Sequence, residues 1–105
     1  MARSATFLPV LFRFPSESAR EDGWGRFLEL AASAAKLSTQ TPLHPRERIL
    51  LSFEVYGERF SDLRAQVEHC ESDEDGFCRV ELRFQDEVEK RRLARTLADL
   101  LARLP

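Results

Sequence analysis

The sequence lacks the features of exported or membrane-spanning proteins. It has two cysteines, which fits a reducing compartment where disulfide frameworks are rare. No apolar run approaches the roughly 20 residues that a spanning helix needs, so we expect no membrane insertion. The first residues, MARSATFLPVLF, are interrupted by Pro9 and Arg13 too early for a signal peptide, and we therefore expect a cytoplasmic protein.

The chain also lacks a large excess of basic or of acidic residues. The chain has 16 basic and 18 acidic residues, a net charge of −2. Because nucleic acids are held chiefly by excess Lys and Arg, we expect no nucleic-acid partner. The composition, with 43% apolar and 32% charged residues, is that of a globular protein. A length of 105 residues fits a single domain, 1–105, without a large substrate cavity.

The carboxyl-terminal half alternates apolar and polar residues with a period of two. This pattern covers 48–56 (RILLSFEVY), 62–69 (DLRAQVEH) and 77–84 (FCRVELRF), and it predicts half-buried strands. Gly57 separates the first two runs, and the polar segment 71–76 (ESDEDG) separates the last two. Three strands joined by short turns predict an antiparallel meander.

From Asp86 onward the apolar period changes to that of a helix. Asp86 followed by Glu89 has the capping-box spacing, which supplies acceptors to free N–H groups at a helix start. The later spacings of three and four predict one apolar stripe on a helix over about 86–104. The apolar residues are Val88, Leu93, Leu97, Leu100, Leu101 and Leu104.

The amino-terminal half carries weaker signals. Residues 5–14 suit an edge strand, on which Pro9 would point its missing donor away from the sheet. Residues 25–40 are good helix formers by propensity, but they also read as two short strands, 26–31 and 35–40. We predict strands, because the layout of the whole chain favours them.

No group of residues predicts catalysis or metal binding. Cys78 falls in the inward phase of its strand and Cys70 in the outward phase, so we expect free thiols, with a disulfide or a metal pair as alternatives. Neither His69 with these cysteines nor the neighbouring acids have regular ligand spacing, and we expect no metal and no cofactor. His44 has no evident nucleophile or orienting partner, so we expect a surface histidine and no enzyme activity.

The order of elements resembles that of a PilZ domain. The resemblance rests on LSTQTPLHPRERILLSFEVYGERFSDLRAQVEH followed by GFCRVELRFQDEVEKRRLARTLADLL, and it covers roughly residues 5–104. Family features map onto Thr41–Leu43, Ile49–Val55, Ala65–Val67 and Gly76–Phe84. The resemblance implies a mainly β fold: a six-stranded antiparallel β-barrel over about 5–84 with a carboxyl-terminal amphipathic α-helix.

The two cyclic di-GMP motifs of the family are degenerate here. The first, RxxxR, is absent because Phe7 lies four residues after Arg3. The second, (D/N)xSxxG, aligns with residues 31–36, where only Ser33 remains and Lys36 replaces the glycine. Each lost charge-assisted contact would contribute about 1.5–3 kcal/mol. We therefore expect that cyclic di-GMP does not bind at the usual site.

The resemblance implies an atypical PilZ-like adaptor that acts on a protein partner in bacterial motility, type IV pilus function or cyclic di-GMP-related signalling. Candidate partner contacts are Phe7 and Leu11 on the outward phase of the first strand, and Trp24, since tryptophan is enriched at binding hot spots. The competing interpretation of Trp24 is a plug at one end of the barrel. The competing interpretation of Phe7 and Leu11 is that the terminal helix or an amino-terminal neighbour covers them.

Two other functions stay open at this stage. A sensor of cyclic di-GMP or of another nucleotide would use non-standard residues, and a structural module would dimerise through its edge strand or its helix. The candidate nucleotide-binding residues are Arg3, Arg13, Ser33 and Lys36.

Overall fold

The computed structural model describes residues 8–15 and 20–102, and these form a closed six-stranded antiparallel barrel followed by one helix. Around the barrel the strands follow the order β1-β2-β3-β6-β5-β4. This architecture confirms the predicted fold class. The elements are β1 (Leu8–Arg13), β2 (Gly23–Leu30), β3 (Ala34–Thr39), β4 (Arg48–Val55), β5 (Glu58–Ser72), β6 (Cys78–Phe84) and α1 (Glu87–Ala102).

The alternating runs form strands as predicted. The run 62–69 is the centre of a longer strand, β5, which has 15 residues. Tyr56 and Gly57 connect β4 to β5 with positive φ angles of 51° and 85°. A two-residue hairpin turn of the primed type requires positive φ at both positions, which explains the glycine there.

The segment 25–40 is two strands in spite of its helical propensity. Phe27, Ala35 and Leu37 point into the barrel, and β3 pairs with β6 over six consecutive residues. A turn joins β2 to β3, closed by a hydrogen bond of 2.9 Å from the Ala31 amide to the Ala34 carbonyl. Burial and pairing with β6 outweigh the propensity of Ala, Leu and Lys for helix.

The strand β1 is not the edge strand that we predicted. It pairs with β2 along Leu8–Phe12 and with β4 along Leu11–Arg13. Pro9 lies before the ladder with β4 begins, so its missing donor costs no hydrogen bond there. The predicted strand start at residue 5 lies outside the described residues.

One core fills the barrel, and α1 covers part of it. The buried apolar residues come from all six strands, together with Phe14, Leu43 and, from α1, the fully buried Leu93. The side chain of Asp86 accepts a hydrogen bond of 3.2 Å from the Glu89 amide, which is the predicted cap. The guanidinium of Arg92 lies 3.9 Å from the centre of the Phe60 ring and fixes α1 against β5.

The apolar stripe of α1 is narrower than its sequence suggests. Leu93 is buried, Leu97 and Leu100 are half-buried, and Val88 is 69% exposed. The side chain of Leu101 and residue Leu104 lie outside the description, as does the predicted helix end at 104.

A bulge in β5 reverses the predicted orientation of Cys70. Val67 pairs with Leu82, but the register shifts by one residue before His69, so that Cys70 lies opposite Val80. An inserted residue moves every later side chain of a strand to the other face. Cys70 therefore packs against the core, as Cys78 does, and the prediction that it faces outward is wrong. Both cysteines are free thiols.

Candidate protein-docking surface

Two large apolar side chains lie side by side on the outside of the barrel. Leu11 of β1 and Trp24 of β2 are directly opposite each other in the ladder, and each is 62% exposed. Side chains at such positions have Cβ atoms about 4.5–5.5 Å apart and share one face of the sheet. Trp24 therefore does not plug the barrel end. Phe7, the third predicted contact, lies outside the described residues.

The backbone of Trp24 is held by its neighbours. A Cβ atom on Gly25 would lie well inside 3.0 Å of the Ser38 carbonyl oxygen, so β2 and β3 approach closely only because this residue is glycine. The hydroxyl of Thr39 donates a 2.7 Å hydrogen bond to the Trp24 carbonyl. Thr39 is itself buried, so the backbone of Trp24 is bonded to a well-packed part of the barrel.

A groove of about 630 Å³ runs beside Trp24. This volume lies within the range of about 300–1,000 Å³ that is usual for ligand sites. One wall comes from β2 and β3 and the other from the turn between β5 and β6. The lining residues are Trp24, Gly25, Arg26, Ser38, Thr39, Gln40, Thr41, Asp73, Asp75 and Phe77. Of these, the sequence analysis proposed Trp24 alone as a partner contact, because the turn comes near β2 only through the pairing of β3 with both β2 and β6.

The turn that forms the second wall is built around Asp73. Its carboxylate accepts hydrogen bonds from the amides of Asp75 (2.8 Å) and Phe77 (3.0 Å). A backbone hydrogen bond from the Asp73 amide to the Phe77 carbonyl (2.8 Å) closes the turn, and Gly76 takes a φ of 84°. The groove wall is therefore ordered by its own hydrogen bonds.

This side of the groove is acidic. Residues 71–77 contain four carboxylates and no basic residue. Within the described part of the chain, the side chains of Glu74 and Asp75 make no hydrogen bond or ion pair. Among the described residues that line the groove, Arg26 on the β2 wall is the one cation. Negative charge next to an apolar wall favours a partner that is both cationic and apolar.

Two of the candidate nucleotide-binding residues, Arg13 and Lys36, are engaged in ion pairs within the barrel. Arg13 makes a two-pronged contact with Asp62, with nitrogen–oxygen distances of 2.9 and 2.7 Å. The hydrogen bond from Arg13 lowers the pKa of Asp62. Lys36 lies 3.8 Å from Glu29 across the β2–β3 ladder.

The structure separates Arg13 from Ser33. Arg13 ends β1 beside the start of β2, since Phe12 pairs with Gly23. Ser33 lies in the turn that follows the other end of β2, where its carbonyl accepts a hydrogen bond from the Phe84 amide. The eight residues of β2 therefore separate Arg13 from Ser33, a distance of roughly 25 Å along a strand. Arg3 lies outside the described residues.

The Cys70 thiol lies next to Cys78 and is not activated. Burial raises the pKa of the Cys70 thiol, and the neighbouring Cys78 raises it further. A raised pKa lowers the thiolate fraction at neutral pH and so disfavours nucleophilic attack. Across residues 8–15 and 20–102, no three His, Cys, Asp or Glu side chains are grouped so that they would hold a metal ion. In the same part of the chain, no helix has the length and apolar character needed to cross a membrane.

The comparisons with known proteins assign no family. Neither a protein-family model nor a curated protein matches this sequence. The fold and the surface around Trp24 therefore carry the functional argument.

Proposed function

We propose that this chain is a non-enzymatic binding module that docks a protein partner on the outside of its barrel, around Leu11 and Trp24. The observation that carries the proposal is that these two large apolar residues are adjacent, that each is 62% exposed, and that they lie beside a groove. Exposed apolar patches of this kind mark interaction sites, and tryptophan is enriched among the residues that dominate binding energy.

The closed barrel determines how a partner can dock. Every described strand has a neighbour on each side, so no whole strand edge is open to pairing with a partner strand. For the same reason, dimerisation through an edge strand has no support from this fold. Recognition then depends on side chains, with Leu11 and Trp24 as anchors and the groove as the adjacent subsite.

The PilZ resemblance extends this proposal to a cellular setting. A six-stranded antiparallel barrel with a carboxyl-terminal helix is the architecture that the resemblance implies, and this agreement supports it. We therefore propose that the protein is an adaptor in bacterial motility, type IV pilus function or cyclic di-GMP-related signalling, and that it acts in the cytoplasm.

We further propose that cyclic di-GMP is not the ligand of this module. Arg13 is engaged by Asp62, and Ser33 lies at the opposite end of β2, so these groups do not form a joint phosphate site. Calorimetric titration of the folded protein with cyclic di-GMP should give no binding heat. Saturable binding in the low micromolar range would contradict this expectation and restore the sensor hypothesis.

Site-specific photo-cross-linking tests the docking surface. A photoreactive phenylalanine analogue is placed at position 24 and, as a matched control, at position 88, where Val88 is 69% exposed on α1. In cells that make the protein, we expect position 24 to give a defined adduct that position 88 does not give. The cross-linked protein is identified by mass spectrometry and purified.

The dissociation constant of the purified complex then provides the quantitative test. Trp24→Ala should weaken binding by about 2 kcal/mol or more, roughly 30-fold in Kd. Leu11→Ser should weaken it in the same direction, whereas Val88→Ser should leave Kd unchanged. A partner that binds Trp24→Ala as tightly as the unmodified protein would show that docking occurs elsewhere.

A further inference from the structure

We infer that the groove beside Trp24 takes an extended, cationic segment of the partner, in which arginine or lysine alternates with apolar residues. This inference rests on the proposed function and specifies the chemistry of the partner. It follows from three features of the groove: its shape and apolar surface, the negative charge of one wall, and the polar residues among its lining.

The shape and apolar surface suit a short chain segment. The groove has a volume of about 630 Å³, which holds a few side chains rather than a folded domain. Trp24 borders it on one side with an exposed ring, and Phe77 borders it on the other with a half-buried ring. Leu11 continues the apolar surface past Trp24 onto β1.

The charge of the second wall selects a cationic segment. Asp73 and Asp75 line the groove, and Glu74 belongs to the same turn. Glu71 lies at the end of β5, where it is paired with Arg79 of β6. The carboxylates of Glu74 and Asp75 have no partner among the described residues, so a bound cation would not displace an internal ion pair there. A phosphate-bearing or acidic ligand would meet like charges at this wall.

The tryptophan offers a second site of attraction for the same cation. A guanidinium or ammonium group is favoured over the face of a tryptophan ring within about 6 Å of its centre. This chain uses that contact internally, with Arg20 lying 4.3 Å from the centre of the Phe14 ring and Arg92 lying 3.9 Å from that of Phe60. A cationic side chain placed between Trp24 and Asp75 would combine ring and carboxylate contacts.

The floor of the groove supplies partners for a peptide backbone. Gln40 is exposed at the end of β3 and carries both a donor and an acceptor in its amide. Thr41 and the buried Ser38 also line the groove and carry hydroxyl groups. Polar groups beside one apolar and one acidic wall fit an extended main chain whose side chains alternate toward the two walls.

Two synthetic peptides serve as probes for this inference. The first is a fluorescein-labelled, end-capped peptide that alternates arginine and leucine, and the second has glutamate in place of each arginine. Binding to the full chain is followed by anisotropy. We expect the arginine peptide to bind and the glutamate peptide not to bind. Affinity should fall between ionic strengths of about 0.01 M and 1 M, where screening removes exposed charge interactions.

Variants of the protein locate the site. Glu74→Gln with Asp75→Asn keeps the hydrogen bonds of the Asp73 carboxylate and should weaken the arginine peptide about fivefold. Trp24→Ala should weaken it more than tenfold in the same assay. The matched control Asp99→Asn removes an acidic charge from α1 and should have no effect. Unchanged thermal unfolding midpoints verify that the variants are folded.

The outcomes separate this inference from the proposed function. Equal binding of both peptides, no binding of either, or unchanged binding to the doubly substituted turn would each overturn the cationic segment. None of these results would contradict the proposed function if a partner cross-links to position 24 and binds Trp24→Ala more weakly. Failure of that cross-linking experiment, in contrast, would overturn the docking surface itself.

Discussion

The packing of α1 on the barrel includes one fully buried leucine, and truncation of that side chain gives a measurable prediction. Leu93 is fully buried and is part of the single core cluster, whereas Val88, five residues earlier on the same helix, is 69% exposed. Leu93→Ala removes three carbon atoms from the core. At about 0.8 kcal/mol for each buried methylene, the transfer contribution is about 2.4 kcal/mol.

The cavity left behind increases this cost. Buried Leu→Ala substitutions cost about 2–5 kcal/mol in total, and the position of Leu93 between helix and barrel allows some collapse. We therefore expect a loss of about 2.5–4 kcal/mol in the free energy of unfolding. For a domain of this size, each kcal/mol lowers the midpoint of thermal unfolding by about 4–8 °C.

Urea denaturation followed by circular dichroism provides the assay. Leu93→Ala should lower the midpoint concentration without changing the slope, since the same surface is exposed on unfolding. The control Val88→Ala should change stability by no more than about 0.5 kcal/mol. A loss below about 1 kcal/mol for Leu93→Ala would refute the packing of α1 on the barrel described above.

Two further substitutions test the barrel near the docking surface. Gly25→Ala should lower the free energy of unfolding, measured by urea denaturation, by about 1–3 kcal/mol, because the added Cβ would overlap the Ser38 carbonyl oxygen. A variant as stable as the unmodified protein would show that β2 and β3 are further apart than described. The second substitution concerns pH. Arg13 lowers the pKa of Asp62 in the folded state. The stability that this pair contributes is therefore present above the ordinary carboxyl pKa and is lost as pH falls through the lowered value. In an NMR titration, Arg13→Gln should move the pKa of Asp62 back up, and an unchanged pKa would contradict the ion pair.

Much of the fold could be predicted because the barrel strands have one buried and one exposed face. In β4, the alternation of Ile49, Leu51, Phe53 and Val55 is the burial pattern of the structure. The helix start at Asp86 could be predicted as well, since a cap depends on local hydrogen bonds. Features that follow from local hydrogen bonding, or from apolar residues alternating with a period of two, could therefore be predicted from the sequence.

The features that the sequence did not predict depend on long-range pairing. The bulge after Val67 turns Cys70 inward, and no local signal in EHCES marks it, because a bulge is set by how β5 aligns with β6. Likewise, Pro9 suggested an edge strand, but the barrel closes by pairing β1 with β4 from Leu11 onward.

The candidate site was predictable only in part. Leu11 and Trp24 could be named from strand phase and residue type, but their adjacency depends on the β1–β2 register. The opposite wall, with Asp75 and Phe77, belongs to a turn more than 45 residues away in sequence, which looked like a solvated loop. The pairing of β3 with both β2 and β6 brings that wall to Trp24.

Trp24 is the only tryptophan of the chain, so its fluorescence tests the docking surface most directly. Acrylamide quenching is measured for the free protein and for its complex with the partner that cross-links to position 24, using a partner in which tryptophan is replaced. In the free protein, strong quenching and emission like that of tryptophan in water are expected from its exposure. In the complex, we predict a blue shift and protection from acrylamide. A stable complex in which Trp24 stays as accessible as before would contradict docking at this surface.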